Sequence, residues 1–435
     1  MRRAVLTGIG MVTGFGDGWQ VCWRNVLAGR SAVRQLDSVA SSDLATQWGA
    51  PVTAFAPERY VNRRLLRQCT RNDRLAAVGA MLAVRDAAVD LDAVDRQRIG
   101  IVLSGGKEIS DPEHLIAGSL AARDANSTAD YRAFGAAASS VIHPLYYVEG
   151  LQSTALFTLS KLTGATGANG YFHGTAEASA LAVARAANLV RTGEADLVLA
   201  GGADDRTSWW PLSQWDGLGV LSGRNDFGST ACRPFDLMRS GAAPGEGAVV
   251  LVLESAESAA ARGAHVYAEI AGAATTFDPT GHLGSDRAGR PIAEAMIRAM
   301  GQAGEPCREV GVIVAHGNAT RRGDLGEARG IRLAVGDSAA PALTCVKGAT
   351  GELGASSGAL NIAIAALTID AGLVPSVTNL RQVDPILPAG GWIREYPVVG
   401  RVRTAIALAS GLAGQRTAVV LRRPARQDRS GAGDE

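Results

Sequence analysis

Glu177 stands in the run Thr175-Ala176-Glu177-Ala178-Ser179, after a glycine-containing turn and at the start of an Ala-rich stretch with helical patterning. Backbone N–H groups at a helix start lack partners, and the helix dipole favours an anion there by about 0.3–1 kcal/mol. A carboxylate in that place is either a good helix start or an acid–base group. Glu352, in Thr350-Gly351-Glu352-Leu353-Gly354, has the same two readings. His316 closes the apolar run VGVIVAH, so a strand would deliver it to its carboxyl end, the edge where open α/β sheets bind ligands. Asp324 and Glu327 follow on the next helical segment. A single His in such a place is equally a structural residue. Lys347 follows a strand in the same way and is either a surface residue or the partner of a carboxylate. His173 lies four residues before Glu177 and its position argues for no role, while His143 precedes Pro144 and reads as a loop residue.

Other chemistries lack their signatures. No metal-ligand spacing, no GxxxxGK[ST] loop and no GxGxxG opening a helix after a strand is present, so nucleotide binding has no support. The glycines of PGEGAVVLVLE (Pro244–Glu254) precede a strand rather than a helix. Five cysteines, Cys22, Cys69, Cys232, Cys307 and Cys345, are scattered and form no CxxC pair, which argues against a disulfide framework or structural zinc and for a reducing cytosol. Cys345, two residues before Lys347, is the thiol nearest the candidate residues, although a buried structural Cys is the common case. The formal charge of +1 provides no field to draw nucleic acid or an anionic membrane. The basic pairs Arg63-Arg64, Arg321-Arg322 and Arg422-Arg423 read as solvated surface.

These residues must be positioned by an α/β scaffold. Strands are expected over 4–8, 99–104, 197–201, 248–253, 266–270, 310–315, 404–409 and 417–421, and helices over 73–89, 177–191, 291–300 and 357–371. Such alternation implies a sheet covered on both faces. The Ala-rich stretches 176–187 and 359–366 let helices approach closely, so both are expected at the centre. An echo links GYFHGTAEASALAVARAANLV with TCVKGATGELGASSGALNIAIAALTI: each is a turn rich in Gly, Thr and Ala, then a Glu, then an Ala-rich helix. Nothing resembling a linker divides the chain, which reads as one domain of two related halves meeting near residue 260. MRRAVLTGIG reads as a strand entering a glycine turn rather than a signal peptide. No run of about 18 apolar residues appears, so nothing is expected to span a membrane. The polar tail 424–435 is expected to be disordered.

Taken together, the segments resemble the β-ketoacyl-acyl-carrier-protein synthases of the thiolase superfamily, the condensing enzymes of fatty-acid and type II polyketide synthesis. VLTGIGMVTGFG is similar to their VVTGLGxVTPLG start. ADLVLAGGADD, ACRPFDLMRSGAAPGEGAVVLVLESAESAAARGAHVYAEIAG, VAHGNATRRGD and VKGATGELGASSGALN follow in the family's order, and ALASGLAGQRTAVVLRR is similar to SFGFGGTNAxLVFRR. The resemblance spans about residues 2–423. It implies an α/β, thiolase-like fold of two pseudo-duplicated halves, about 1–260 and 261–423, layered as an α-β-α-β-α sandwich in a single domain, 1–423. It also carries a catalytic set of one Cys, two His and a Lys. The elbow motif TAC(T/A)S stands here as Thr175-Ala176-Glu177-Ala178-Ser179, so Glu177 occupies the Cys position. The histidine of HGT is kept as His316 and the lysine of KSxxGH as Lys347, while the second histidine is replaced by Glu352. The gating Phe of GFGGTN corresponds to Leu412, whose backbone N–H would form an oxyanion hole with that of Glu177.

A thiolate attacks a thioester because sulfur is soft and a helix N-terminus lowers its pKa. A carboxylate in its place is a weak nucleophile whose product is a labile mixed anhydride. Decarboxylation of a malonyl thioester also needs donors aimed at the enolate oxygen, and Glu352 puts an acceptor there. Ordinary condensation is therefore expected to fail. The resemblance narrows to the Cys-less KSβ or chain-length-factor subunits, which pair with an active KSα and shape its acyl tunnel. Two departures stand out: Glu in place of their usual Gln at the elbow, and retention of His316 and Lys347. HPLYYVEGLQSTALFTLSKLTGATG, which differs from the family's FVPxxLPNMAAG stretch, is closer to the partner subunits of reducing or aryl-polyene-type systems. The expectation is a cytoplasmic subunit that forms a heterodimer with KSα, or a homodimer. It would meet acyl groups on the phosphopantetheine arm of acyl carrier protein and use no cofactor or metal of its own, no nucleic acid and no membrane. A second expectation is an enzyme using Glu177, His316 and Glu352 as acid–base groups on a carrier-bound acyl chain; two carboxylates in one apolar cavity would raise at least one pKa unless His316 and Lys347 neutralise them. A third, plain condensation, requires Cys345 to reach the cavity.

Overall fold

The computed structural model describes residues 2–37, 43–106, 112–123, 128, 130–151, 153–280, 283, 286–337 and 339–424; the tail from 425 onward, expected to be disordered, lies outside them. Of the twelve strands that the described residues place in the main sheet, ten carry its plan. Five lie in the first half: β1 (Ala4–Thr13), β2 (Ile99–Gly105), β3 (Asn169–His173), β4 (Leu197–Asp205) and β5 (Glu246–Ser255). Five more build the second: β6 (Ala268–Phe277), β7 (Val312–Val314), β8 (Ala342–Thr344), β9 (Thr404–Ser410) and β10 (Gln415–Arg422). Their spatial orders are β3-β2-β4-β5-β1 and β8-β7-β9-β10-β6, the same permutation twice. Directions repeat as well. The inner strand of each half is parallel to its two neighbours, and the remaining pairs are antiparallel. The duplication that the sequence shows in one turn–helix echo is thus present throughout the strand plan. β1 and β6 join the halves through Val5↔Glu269 and Leu6↔Ala268.

Five helices matter most for the layers: α1 (Arg71–Ala87), α2 (Ala176–Thr192), α3 (Arg290–Ala303), α4 (Arg321–Val335) and α5 (Ser357–Ala371). Along β5, Val249, Leu251 and Leu253 face a central core that includes α2 and α5, while Ala248, Val250 and Val252 face an outer core under α1. Along β10, Val419 and Leu421 face the same central core, and Ala418 and Val420 face a second outer core containing α3 and α4. Period-2 alternation therefore produces five layers, α-β-α-β-α, with α2 and α5 in the middle. Small residues make that centre possible. The Ala359 N–H donates to Ser179 Oγ at 2.9 Å, and a Cβ on Gly358 would overlap the Ala176 carbonyl oxygen.

Several boundaries differ from expectation. β1 runs on to Thr13 instead of turning at its glycines, because Gly8 and Gly10 lie flat against α1, where a Cβ would collide with the Ala83 and Gly79 carbonyls. β3, short and with weak alternation, was not among the bounded strands expected, whereas β8 is the strand expected just before Lys347 and is only three residues long. Segment Gly354–Ala371 is, among the described residues, the one helical stretch long and apolar enough by average hydropathy to cross a membrane, but 89% of it is buried inside the protein. Its Ala, Gly and Ser residues hide it from a count of strictly apolar side chains. Of the basic pairs read as solvated, Arg422 is tied to Glu269 at 3.0 Å and to Glu305 at 3.5 Å.

Candidate functional site

The carboxyl ends of β7 and β8, the β9–β10 turn and the first turn of α2 converge on one narrow cleft. Thr175, Ala176, Trp215, His316, Glu352 and Leu412 are among its walls. Its volume is about 20 Å³, room for roughly one water molecule.

His316, Lys347 and Glu352 form a connected chain. Lys347 Nζ donates to His316 Nδ1 at 2.9 Å and makes an ion pair with Glu352 Oε2. The Ser357 hydroxyl donates to Glu352 Oε1 at 2.6 Å. Lys347 has no solvent exposure, so of its two sequence readings the carboxylate partner is the one found. The loop carrying His316 is clamped from below: the backbone N–H groups of His316 and Gly317 donate to the two Glu327 carboxylate oxygens at 2.6 and 2.8 Å. Burial first, then the positive charges of Lys347 and Arg416, hold the His316 pKa well below its ordinary 6.5. The imidazole is therefore neutral, with Nδ1 as acceptor and the proton on Nε2. Glu352 departs from its expected place in a first helical turn. It pairs with Pro244 in an isolated bridge, ahead of the short turn Gly354–Ser356 that leads into α5.

Glu177 does occupy the first turn of α2 and is buried, but its carboxylate is folded back on the elbow instead of sharing a cavity with Glu352. The Thr175 N–H donates to both of its oxygens at 3.2 Å, and the Thr175 hydroxyl donates to Oε2 at 2.7 Å. A Cβ on Gly174 would collide with Oε1, and one on Gly411 would lie 2.6 Å from Oε2, so two glycines make the slot that the carboxylate fills. Among the described residues no hydrogen bond or ion pair joins Glu177 to His316, Lys347 or Glu352. The Leu412 N–H, expected to help hold an oxyanion, donates to Thr175 Oγ1 at 3.3 Å. Thr175 thus links the Leu412 amide to the Glu177 carboxylate.

Cys345 does not reach the cleft. Its Sγ points to the carbonyls of Gly317 at 3.6 Å and His316 at 3.8 Å, and burial pushes the thiol well above its ordinary 9.0. Burial likewise pushes Cys22 and Cys232 to about 12. All five thiols are free and buried, and none lines the cleft. His173 and His143 are both exposed and also lie outside it. Among the described residues no group of three or more His, Cys, Asp or Glu could hold a metal ion.

Sequence reasoning missed Trp215 and, although it named Asp324, missed the partners Phe235, Arg239 and Asp384 that Asp324 gathers. Trp215 walls the cleft; the clustering of Trp209, Trp210 and Trp215 was the available signal. Beneath the His316 loop, Asp324 Oδ2 accepts the Phe235 N–H at 2.7 Å and lies 3.4 Å from Arg239, which also pairs with Asp384 at 2.7 Å. Phe235 has φ 63°, an unusual conformation for a bulky residue, and this buried network holds its backbone.

Comparison with known proteins places this geometry. Residues 1–259 match the family model described as β-ketoacyl synthase, N-terminal domain, and residues 267–381 match β-ketoacyl synthase, C-terminal domain. The chain is 31% identical over 433 residues to the oxytetracycline polyketide putative β-ketoacyl synthase 1 of Streptomyces rimosus, covering 98% of both. It is 27% identical over 384 residues to the 3-oxoacyl-[acyl-carrier-protein] synthase 2 of Vibrio cholerae, covering 87% of this chain and 89% of that one. Among solved structures it is similar to the ishigamide ketosynthase/chain length factor, with TM-score 0.84 and 26% identity over 98% of this chain and all of the other. A type II polyketide synthase acyl carrier protein in complex with its ketosynthase bound to the hexaketide gives the same score, identity and coverage. The chain belongs to the β-ketoacyl synthase family.

Proposed function

We propose that this chain is a non-condensing, ketosynthase-like subunit of a type II polyketide or fatty-acid-type synthase, working in the cytoplasm beside an active ketosynthase and shaping the space in which that partner's acyl chain grows. One observation carries the reading. At the helix start where an acyl nucleophile would stand, an acid is folded onto its own elbow, hydrogen-bonded to Thr175 and boxed by Gly174 and Gly411. A carboxylate so engaged presents no nucleophile to the cleft, and the thiols lie elsewhere. The Leu412 amide is spent on Thr175 and the second-histidine position is an acid held by Lys347, so donors for a developing enolate are missing as well. Kinship with polyketide ketosynthases and the similarity to a ketosynthase/chain length factor support the partnership. Acyl groups would arrive on the phosphopantetheine arm of acyl carrier protein; similarity to a ketosynthase in complex with its acyl carrier protein supports that route.

The alternative, an independent enzyme using Glu177, His316 and Glu352, has one feature in its favour: His316 and Glu352 line the same cleft. Co-expression with a Cys-bearing ketosynthase and its carrier protein separates the two. Product only in the presence of that partner, at a rate unchanged by Glu177→Ala, is the expected result. A rate that collapses with Glu177→Ala while the two chains still co-purify would establish acid–base catalysis by Glu177 instead.

A further inference from the structure

A second cavity lies at the amino end of β8, whereas His316 and Lys347 follow the carboxyl ends of β7 and β8. Its volume is about 300 Å³ against about 20 Å³ for the cleft, and the two share no lining residue. Ile331 and Val335 of α4, Pro341 and Leu343 of the β8 segment, and Trp392 are among its walls. Trp392 belongs to the two-residue strand Gly391–Trp392, which pairs parallel to β8 at the edge of the sheet. Ile331, Val335, Leu343 and Trp392 also belong to the second outer core and are between 3% and 9% exposed, so these walls are apolar and fixed by packing.

Two polar groups of the lining lack a full set of partners. Arg332 Nε holds Asp337 Oδ1 at 2.7 Å, and among the described residues no hydrogen bond or ion pair occupies its two Nη groups. The Asp337 side chain is 93% exposed, and an ion pair so open to water holds loosely. Trp392 Nε1 is buried without a partner among the described residues and lies beside Gly390, which also lines the cavity. A guanidinium presents its donors as a fork that matches a carboxylate. A second carboxylate would therefore meet Nη donors that Asp337 leaves open. Apolar walls with one arginine among them fit a ligand with an apolar body and a single anionic group. The volume is that of about ten waters, at the lower end for small-molecule sites.

We propose that this cavity binds a small apolar monocarboxylic acid of about ten non-hydrogen atoms, its carboxylate on the Arg332 guanidinium and its body between α4 and Trp392. The site involves none of the residues of the cleft, so it goes beyond the reading of the chain as a non-condensing subunit and does not depend on it.

Calorimetric titration of the purified chain with octanoate, octan-1-ol and octylamine tests it, beside Arg332→Met and Ala340→Trp. The first substitution removes the charge, and the second fills the cavity from an exposed position on its rim. Octanoate is expected to bind the parent more tightly than the alcohol or the amine. Its affinity should fall about tenfold or more in each variant, while that of the alcohol is unchanged by Arg332→Met. No octanoate binding by the parent, or octanoate affinity left unchanged by either substitution, overturns the proposal, as does an alcohol or amine bound as tightly as the acid. Should a variant not fold, the parent alone decides: nuclear Overhauser contacts between the octanoate chain and the Trp392 indole are expected, and bound octanoate without them overturns the site.

Discussion

Lys347 and Glu352 form an ion pair inside the protein, with both side chains shut off from solvent. Glu352 stands where the family resemblance puts a hydrogen-bond donor, and its oxygens are taken by Lys347 and by Ser357 at 2.6 Å. Lys347 in turn reaches His316. The three side chains satisfy one another, and among the described residues that line the cleft no charged group is unpaired.

Removing one member should therefore be costly. Lys347→Met leaves the Glu352 carboxylate buried and uncompensated, and is expected to lower unfolding free energy by about 3–5 kcal/mol. Lys347→Met with Glu352→Leu should cost far less than the two single changes together. Urea unfolding of the four proteins checks this; a single-variant loss under about 1 kcal/mol would mean that water already compensates the pair.

Stability should also respond to pH through His316. The folded chain keeps this imidazole neutral where the unfolded chain, with its ordinary value of 6.5, takes up a proton. The unfolded state then binds more protons, and stability is lost as pH falls below about 6.5, by up to about 1.4 kcal/mol per pH unit. His316→Asn removes that component, so the variant should gain on the parent as pH is lowered from about 7 to about 5. Asp324, pushed up to about 7 by burial, titrates in the opposite sense but is present in both proteins, so its contribution cancels in the difference. A stability difference that stays flat across this range would contradict the neutral imidazole.

Thr175 should be needed for order at the elbow. Thr175→Val strands the Leu412 amide and removes a donor from Glu177, at an expected cost of about 1–3 kcal/mol. Thr175→Ser, which keeps the hydroxyl, should recover most of it. Equal losses from both substitutions, measured by thermal unfolding, would show that the methyl group and not the hydrogen bonds matters.

Much of the scaffold was legible in the sequence, and the reason is local. α5 spans the expected 357–371, and α2 spans Ala176–Thr192 against the expected 177–191, because long Ala-rich runs ending in glycine leave few alternatives. His316 was legible at a strand end because the apolar run VGVIVA before it reads as a strand. The direction of the Glu177 carboxylate was not: it depends on Gly411 and on a Thr175–Leu412 bond between residues 237 positions apart. Lys347 read equally well as surface or as buried partner, since only the packed structure removes its solvent.

The helix crossing at the centre provides a test of the fold. Gly358→Ala would drive a methyl group into the Ala176 carbonyl of the facing helix, at an expected cost of about 1–3 kcal/mol. Gly301→Ala, on α3 with open space around it, should cost nothing or stabilise slightly. Chemical denaturation of both variants decides whether α2 and α5 touch as closely as described.

The central claim is that this chain cannot hold an acyl group at its helix-start acid. Intact-mass spectrometry after incubating the purified chain with an acylated carrier protein, beside a Cys-bearing ketosynthase treated identically, tests it most directly. The expected spectrum shows an acyl adduct on the ketosynthase and an unchanged mass for this chain. An acyl adduct on this chain, mapped to Glu177 or to any of its five cysteines, would contradict the account.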